Sequence, residues 1–253
     1  METRPTAIKL LETCTLLPLL QGSTLTITER HAAMSNFLEL DGPRFGPAAG
    51  GGPEQLVILL HGLGADGQDL IGLAPHWAEV LPKAVFVSPN APFPCDMAPY
   101  GYQWFSAQDR SPETVLAGVR AAAPALDAFI DRELENANLS EDRLALVGFS
   151  QGTMMSLYVG PRRERQLAGI VGFSGRLIAP DLLPEGIKTK PPVLLAHGDM
   201  DEMVPFESMA QAEAGLSAVG IEVESHVCPG IGHGIDQNGL VRGAAFLQRV
   251  LAG

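Results

Sequence analysis

The sequence predicts one α/β domain, built on a mostly parallel central sheet with helices on both faces. Short apolar runs of strand length alternate along the chain with helix-like stretches of about 10 to 20 residues. Parallel strands need such crossover segments to connect them. Polar residues follow several of the apolar runs directly, as expected where the carboxyl ends of parallel strands meet at one edge of a sheet.

The predicted strands differ in strength. Residues 56–60 (L-V-I-L-L) form an uninterrupted apolar run, which is typical of a strand covered on both faces. Residues 37–40 give only a weak signal for an edge strand. The remaining predicted strands are 84–87, 144–147, 168–171, 193–196 and 221–227.

Helices are predicted between these strands. Ser111 is a suitable N-cap for a helix that begins at Pro112, because proline favours the first helical position. This helix extends to about residue 135, and Pro124 is expected to kink or divide it. Residues 89–111, rich in proline and aromatic residues, predict a long irregular loop. The other predicted helices are 68–80, 154–158, 206–219 and 235–251.

Composition limits the class of protein. Of 253 residues, 46% are apolar and 18% are charged, which is typical of a globular chain. The formal charge of −12 argues against nucleic acid or an anionic membrane as a partner, since both need a positive surface. The apolar residues 16–20 are too few for stable membrane insertion. We expect residues 1–33 to be a dispensable extension and residues 34–253 to form the domain.

The cysteines indicate neither a disulfide framework nor a metal site. Cys14, Cys95 and Cys228 are few and widely separated. We therefore predict free thiols, a reducing compartment such as the cytoplasm, and no bound metal.

The turn around Ser150 is the first feature that predicts chemistry. A buried strand, the sequence G-F-S-Q-G at 148–152 and a helix follow one another, which is the context of a nucleophile elbow. Such a turn strains the serine backbone, so the residues two before and two after it, Gly148 and Gly152, must be small. The pentapeptide alone occurs by chance in about one chain in ten, so it needs partners elsewhere.

Those partners follow two later strands. Asp199 and Asp201 come after the strand at 193–196, and His233 comes after the strand at 221–227. Serine, acid and histidine in this order are typical of α/β-hydrolases. The imidazole would take the serine proton, and a carboxylate on its other nitrogen would fix the tautomer.

Two backbone amides are predicted to bind the oxyanion. Glycines at 62 and 64 allow a sharp turn at Leu63, whose amide could point toward the reacting carbonyl. The second donor is the amide of Gln151, directly after the nucleophile. No role is predicted for the Gln151 side chain.

Several separated motifs together resemble the phospholipase/carboxylesterase family, which includes the acyl-protein thioesterases. The resemblance covers roughly residues 36–251, and Thr153 departs from it where many members have glycine or alanine. Its motifs are H-G-L-G-A-D-G at 61–67, Q-W-F at 103–105, G-F-S-Q-G at 148–152, L-A-G-I-V-G-F-S-G at 167–175, H-G-D-M-D-E-M-V-P at 197–205 and G-I-G-H at 230–233.

The family resemblance implies an α/β-hydrolase fold and a set of site residues. Ser150, Asp201 and His233 match the catalytic triad, and the acid is then Asp201 rather than Asp199. The oxyanion-hole positions match Leu63 and Gln151. The family needs no metal or cofactor, and the resemblance also allows a homodimer.

Other residues have competing interpretations. Ser174, in G-F-S-G at another strand end, lacks the second glycine of the elbow, and Asp199 is the alternative acid. Trp104 and Phe105 fit either the core or a wall of the acyl pocket. His61 and His197 are expected to hold loops by hydrogen bonds. Packing or surface positions are expected for His31, His76 and His226.

The residues favour a serine carboxylic-ester hydrolase that forms an acyl-enzyme with short to medium acyl esters. An acyl-protein thioesterase or lysophospholipase, with the same residues and a longer acyl channel, is the alternative. A silent binding protein on the same fold is disfavoured, because every catalytic position is filled.

Overall fold

The computed structural model describes residues 39–252, which belong to one compact unit. The predicted extension at 1–33, with Cys14 and His31, lies outside the described residues. The strands are β1 (Arg44–Phe45), β2 (Gln55–Leu60), β3 (Ala84–Val87), β4 (Phe93–Pro94), β5 (Tyr102–Gln103), β6 (Leu144–Phe149), β7 (Gly169–Phe173), β8 (Val193–Gly198) and β9 (Val223–Cys228).

The helices fill the intervals between strands. They are α1 (Gly67–Ile71), α2 (Ala74–Trp77), α3 (Pro112–Ala137), α4 (Gln151–Val159), α5 (Leu183–Gly186), α6 (Glu207–Ala218) and α7 (Gln237–Val250), with 3-10 turns at Glu141–Arg143, Gly160–Arg162 and Pro180–Leu182.

The central sheet has the order β1-β3-β2-β6-β7-β8-β9. Strand β1 pairs antiparallel with β3, whereas all the other pairs in this sheet are parallel. The predicted mostly parallel sheet is therefore confirmed.

Each face of the sheet carries its own apolar core. Alternate β2 side chains point to opposite faces, so Ile58 lies in one core and Leu59 in the other. The first core contains the buried faces of α3, α4 and α6, and the second contains Trp77 of α2 and Phe246 of α7. Helices thus cover both faces, as the sequence predicts.

The predicted edge strand at 37–40 is wrong in its described part. Glu39 and Leu40 belong to no strand, and Leu40 is buried in a core as part of a loop. The edge position is taken instead by the two residues of β1. A strand this short carries too few residues for a periodic signal.

Two helix predictions need correction. The helix predicted at 68–80 is divided into α1 and α2, with Pro75 in the first turn of α2. By contrast, α3 runs undivided through Pro124, because the buried side chains on both sides of the proline hold it against the sheet. Ser111 is its N-cap residue, but its hydroxyl forms hydrogen bonds with the Thr114 and Asp109 side chains and accepts none from a backbone amide.

The predicted loop at 89–111 contains a small antiparallel pair, β4 with β5. No helix among residues 39–252 is long and apolar enough to cross a membrane.

Candidate active site

The turn at Ser150 lies at the carboxyl edge of the sheet, between β6 and α4. Ser150 has φ 53° and ψ −115°, a strained conformation for a residue with a side chain. A Cβ at Gly148 would lie 2.3 Å from the Gly152 carbonyl carbon, and one at Gly152 would lie 1.8 Å from the Leu60 carbonyl oxygen. The turn therefore requires both glycines, as predicted.

Asp201 lies in the loop after β8 and its side chain is 0% exposed. Its Oδ1 accepts hydrogen bonds from the amides of Met203 and Val204, both at 2.9 Å. Its Oδ2 lies 2.8 Å from His233 Nδ1 and 3.2 Å from His197 Nε2. The carboxylate thus accepts hydrogen bonds from two backbone amides and from the His233 ring, and the His197 ring lies beside it.

These contacts keep Asp201 ionised. Burial alone would raise the pKa of this carboxyl group, but the hydrogen bonds from His233, Val204 and Met203 together lower it below its ordinary value. Because the ionised carboxylate only accepts, His233 Nδ1 carries the proton. The other nitrogen, Nε2, is then free to accept one.

His233 lies on the loop after β9, and its ring packs against Phe149 with the ring centroids 4.9 Å apart. The side chain is 20% exposed and lines the same cavity as Ser150. Among the described residues, Ser150 Oγ and His233 Nε2 are not joined by a hydrogen bond. Catalytic hydrogen bonds of this kind often tighten only when substrate is bound.

Asp199 has a different environment from Asp201. Its Oδ1 accepts a hydrogen bond from the Gly230 amide at 2.6 Å, which ties the β8 loop to the loop that carries His233. His233 donates to Asp201 instead. Asp199 therefore shapes a loop, and the geometry favours Asp201 as the acid.

The amides of Leu63 and Gln151 are both available. Within the part of the chain that the structure describes, neither N–H donates to another protein group, and both residues line the cavity beside Ser150. The Leu63 turn is held by the Gly64 amide, which donates to the Tyr102 carbonyl at 2.8 Å. Gly64 has φ 79°, so glycine favours this turn.

The Gln151 side chain has a role that sequence reasoning missed. It is buried, its Oε1 accepts from the Trp104 amide at 3.0 Å and its Nε2 donates to the Phe105 carbonyl at 2.8 Å. The residue after the nucleophile thus holds the segment after β5 with both ends of its amide. No sequence signal linked these distant positions.

The two aromatic residues of that segment, Trp104 and Phe105, have different environments. Phe105 lines the cavity and also contacts α3 at Gly118. Trp104 is 0% exposed, does not line the cavity, and donates its indole N–H to the His61 carbonyl at 3.0 Å. Phe105 therefore forms part of the cavity wall, whereas Trp104 belongs to the core, where its polar N–H has a buried partner.

His61 and His197 hold loops, as predicted. The Ala91 amide donates to His61 Nε2 at 2.9 Å, so His61 Nδ1 carries the proton and donates to the Gly62 carbonyl. Burial lowers the pKa of His61 and keeps it neutral. His197 Nε2 donates to the Val204 carbonyl at 2.9 Å.

The cavity at this site has a volume of about 410 Å³. Its walls combine apolar side chains with charged ones from several loops. The lining residues are Gly62, Leu63, Ala65, Asp69, Phe105, Ala107, Arg110, Val115, Phe149, Ser150, Gln151, Met154, Arg176, Glu202, Met203, Val204, Pro205 and His233.

One group of side chains away from this cavity has metal-ligand chemistry. Ligand atoms of His226, Cys228 and Asp236 lie within 4.8 Å of one another. Burial, and then the Asp236 carboxylate, raise the pKa of Cys228 to about 12, so its thiol stays protonated. Cys228 and Cys95 are both free thiols.

The parallel sheet, the strained serine turn and the Asp201–His233 pair define this chain as an α/β-hydrolase. A family model described as phospholipase/carboxylesterase matches residues 48–251. The chain therefore belongs to the phospholipase/carboxylesterase family, as its motifs predict.

Named relatives agree with this family. Acyl-protein thioesterase 1 of Schizosaccharomyces pombe is 31% identical over 205 residues, covering 77% of this chain and 90% of the relative. Esterase YpfH of Escherichia coli K12 is 29% identical over 188 residues, covering 74% and 79%. Among solved structures, esterase PE8 is 43% identical with a TM-score of 0.81, covering 84% of this chain and 100% of that one.

Proposed function

We propose that the protein is a serine carboxylic-ester hydrolase that works through an acyl-enzyme. Ser150 Oγ attacks the ester carbonyl while His233 Nε2 accepts its proton, and Asp201 stabilises the imidazolium that forms. The developing oxyanion accepts hydrogen bonds from the amides of Leu63 and Gln151. The imidazolium then returns the proton to the leaving alkoxide.

The second half of the reaction reverses these roles. His233 takes a proton from water as the water oxygen attacks the acyl carbon. The imidazolium then returns this proton to Ser150 Oγ as the bond between the acyl carbon and Oγ breaks, and the carboxylic acid leaves. Both amides stabilise the second tetrahedral intermediate as they do the first.

One observation carries this proposal. The Asp201–His233 hydrogen bond of 2.8 Å fixes the proton on Nδ1, so the basic Nε2 belongs to a ring that lines the cavity of Ser150. The amides of Leu63 and Gln151, which have no protein partner among residues 39–252, belong to residues that line the same cavity. Base, nucleophile and oxyanion donors are therefore all available to one substrate.

The cavity favours short to medium acyl esters. Its volume of about 410 Å³ lies in the ordinary range for sites that hold one small molecule. The named thioesterase relatives support thioester hydrolysis as the second candidate, since the same residues would serve a thioester carbonyl. A catalytically silent binding protein is disfavoured, because the proposed catalytic positions are all filled.

The test compares acyl chains from two to sixteen carbons, as p-nitrophenyl esters and as matched thioesters. We expect the highest kcat/KM for short or medium esters, and covalent labelling of Ser150 by a fluorophosphonate. A maximum at long chains or a preference for thioesters would replace the leading substrate class with the alternative. Absence of both turnover and labelling would contradict the hydrolase function.

Two further properties are part of the proposal. The free thiols of Cys95 and Cys228 fit a reducing compartment, and we place the enzyme in the cytoplasm. A homodimer is proposed from the family resemblance. Light scattering after size-exclusion chromatography distinguishes a dimer from a monomer of 26.8 kDa.

A further inference from the structure

Two arginines line the cavity of Ser150, although the whole chain is acidic. Arg176 follows the turn at the end of β7, and Arg110 precedes α3. Esters without charge need no cation in their binding site. The arginines therefore require an explanation that general ester hydrolysis does not supply.

The position of Arg176 is fixed by the nucleophile turn itself. A Cβ at the neighbouring Gly175 would lie 2.3 Å from Thr153 Cβ and 3.1 Å from the Ser150 carbonyl oxygen. The backbone at Gly175 thus packs directly against the elbow. Arg176 is the next residue in the sequence, and it is half-buried in the cavity wall.

Neither guanidinium has a carboxylate partner. Among residues 39–252, no Asp or Glu oxygen lies within 4.0 Å of a nitrogen of Arg110 or Arg176. Asp109, next to Arg110, instead accepts hydrogen bonds from the Ser111 amide and from the Thr114 hydroxyl.

The two positive charges also act on each other. Burial, and then the charge of Arg110, lower the pKa of Arg176, so both effects oppose its charged form. An arginine stays protonated at neutral pH in spite of this. An anion bound beside both groups would offset the repulsion and replace the lost hydration.

The acidic residues of the cavity do not cancel this charge. Asp69 and Glu202 also line the cavity, but both are exposed to solvent, where water screens their charges. Arg176 is the most buried of the charged residues that line the cavity. Within this lining, the charge least screened by water is therefore positive.

We infer that Arg176 and Arg110 form an anion subsite, and that the preferred substrates are esters that carry a carboxylate or phosphate. This inference rests on the proposed ester hydrolysis and narrows its substrate class. Arg176 makes the stronger contact because it is less exposed, and Arg110 contributes mainly long-range attraction. A planar guanidinium suits such groups because it can donate two parallel hydrogen bonds to them.

The experiment compares esters that differ only in charge. p-Nitrophenyl pentanoate and the p-nitrophenyl monoester of glutarate carry the difference on the acyl side. 4-Carbamoylphenyl butyrate and 4-carboxyphenyl butyrate carry it on the alcohol side. We expect the wild type to prefer the charged member of at least one pair, and that pair identifies the side that the arginines face.

Substitution should remove this preference without removing catalysis. We expect Arg176→Gln to lower the ratio of kcat/KM between charged and neutral esters by about 10- to 100-fold, as for loss of a hydrogen bond to a charged group. Arg110→Gln should lower it by a smaller factor, and Arg176→Lys should retain part of it. In all three variants, kcat/KM for neutral esters should fall by a much smaller factor than kcat/KM for charged esters.

Arg242→Gln is the matched control. Arg242 is exposed, lines a separate cavity beside α7, and its loss changes the net charge by the same amount. We expect no change in the ratio. An equal effect of Arg242→Gln would show that only overall charge matters and would overturn the subsite.

Further results separate failure of the subsite from failure of the proposed function. Unchanged ratios in Arg176→Gln and Arg176→Lys, or a preference for cationic choline esters, would overturn the subsite while ester hydrolysis stands. If the wild type hydrolyses none of the esters, the subsite is tested by measuring binding of the glutarate monoester to the wild type and to Arg176→Gln. Binding that Arg176→Gln abolishes would support the subsite alone, and equal binding to both proteins would overturn it.

Discussion

Two adjacent strands of this protein end in nearly the same turn. Strand β6 ends in V-G-F-S with Ser150, and β7 ends in V-G-F-S with Ser174. Phe149 and Phe173 are paired in the sheet, and the two serines have φ of 53° and 47°. The Ser150 amide donates to the Phe173 carbonyl and the Ser174 amide to the Ala196 carbonyl, both at 2.9 Å.

The two hydroxyl groups nevertheless have different surroundings. Ser174 is 0% exposed and its Oγ donates to the Gly234 carbonyl at 3.1 Å, directly beyond His233. Ser150 is 8% exposed, lines the cavity, and is followed by a helix. Ser150 shares its cavity with His233 and with two amides that, among residues 39–252, have no protein partner. We therefore propose Ser150, and not Ser174, as the nucleophile.

The largest expected effect tests this distinction directly. Ser150→Ala removes the nucleophile and should lower kcat for p-nitrophenyl esters by about 10⁴-fold or more. Labelling by a fluorophosphonate should also disappear, as measured by mass spectrometry of the intact protein. Retention of most activity would mean that another group, with Ser174 as the first candidate, carries the reaction.

The acid partner gives the next effect. Asp201→Ala removes the carboxylate that fixes the His233 tautomer and should lower kcat by about 10⁴-fold. Asp199→Ala removes only a loop hydrogen bond, so we expect a loss of less than about 10-fold and a decrease in stability of about 1 kcal/mol. Steady-state kinetics and urea unfolding measure both. A larger loss of kcat in Asp199→Ala would exchange the two roles.

A smaller effect is expected at His197, whose Nε2 donates to the Val204 carbonyl in the loop that carries Asp201. His197→Leu removes this buried donor, which helps to hold the loop that positions the Asp201 carboxylate, and loss of comparable outer contacts in metal sites costs about 10- to 100-fold. We expect kcat to fall within this range with little change in KM. His197→Gln, which keeps an N–H donor, should restore part of the rate, and an unchanged kcat in His197→Leu would contradict a role of His197 in positioning Asp201.

The smallest effect concerns the second turn. Ser174→Ala removes the hydrogen bond to the Gly234 carbonyl and should lower the free energy of unfolding by about 1 kcal/mol. Because Gly234 follows His233, a decrease in kcat of a few fold is also expected. Fluorophosphonate labelling should be unchanged. Loss of labelling in this variant would contradict the separation of the two turns.

Local patterns predicted the parts of this site that depend on neighbouring residues. The elbow at Ser150 was predictable because backbone approaches of 2.3 Å and 1.8 Å exclude a side chain at Gly148 and Gly152. The choice between Asp199 and Asp201 depended on the family resemblance, since both follow the same strand. In the structure, the contact with His233 distinguishes them.

Contacts between distant segments were not predictable from the sequence. The Gln151 side chain is satisfied by Trp104 and Phe105, which lie far from it along the chain. Nor does a local pattern show that Trp104 finds its partner at the His61 carbonyl. The undivided course of α3 through Pro124 likewise depends on tertiary packing that outweighs the local effect of proline.

The two hydrogen bonds of the Gln151 side chain have a consequence for protein engineering. The amide of Gln151 is a proposed oxyanion donor, and its side chain forms hydrogen bonds with the backbone at 104–105. We therefore expect substitution of Gln151 to disturb catalysis and pocket shape together. These hydrogen bonds involve only backbone atoms of Trp104 and Phe105, and not their side chains. We therefore expect that the Phe105 side chain can be varied to change the shape of the cavity while the hydrogen bonds of the wild-type Gln151 side chain keep the backbone in place.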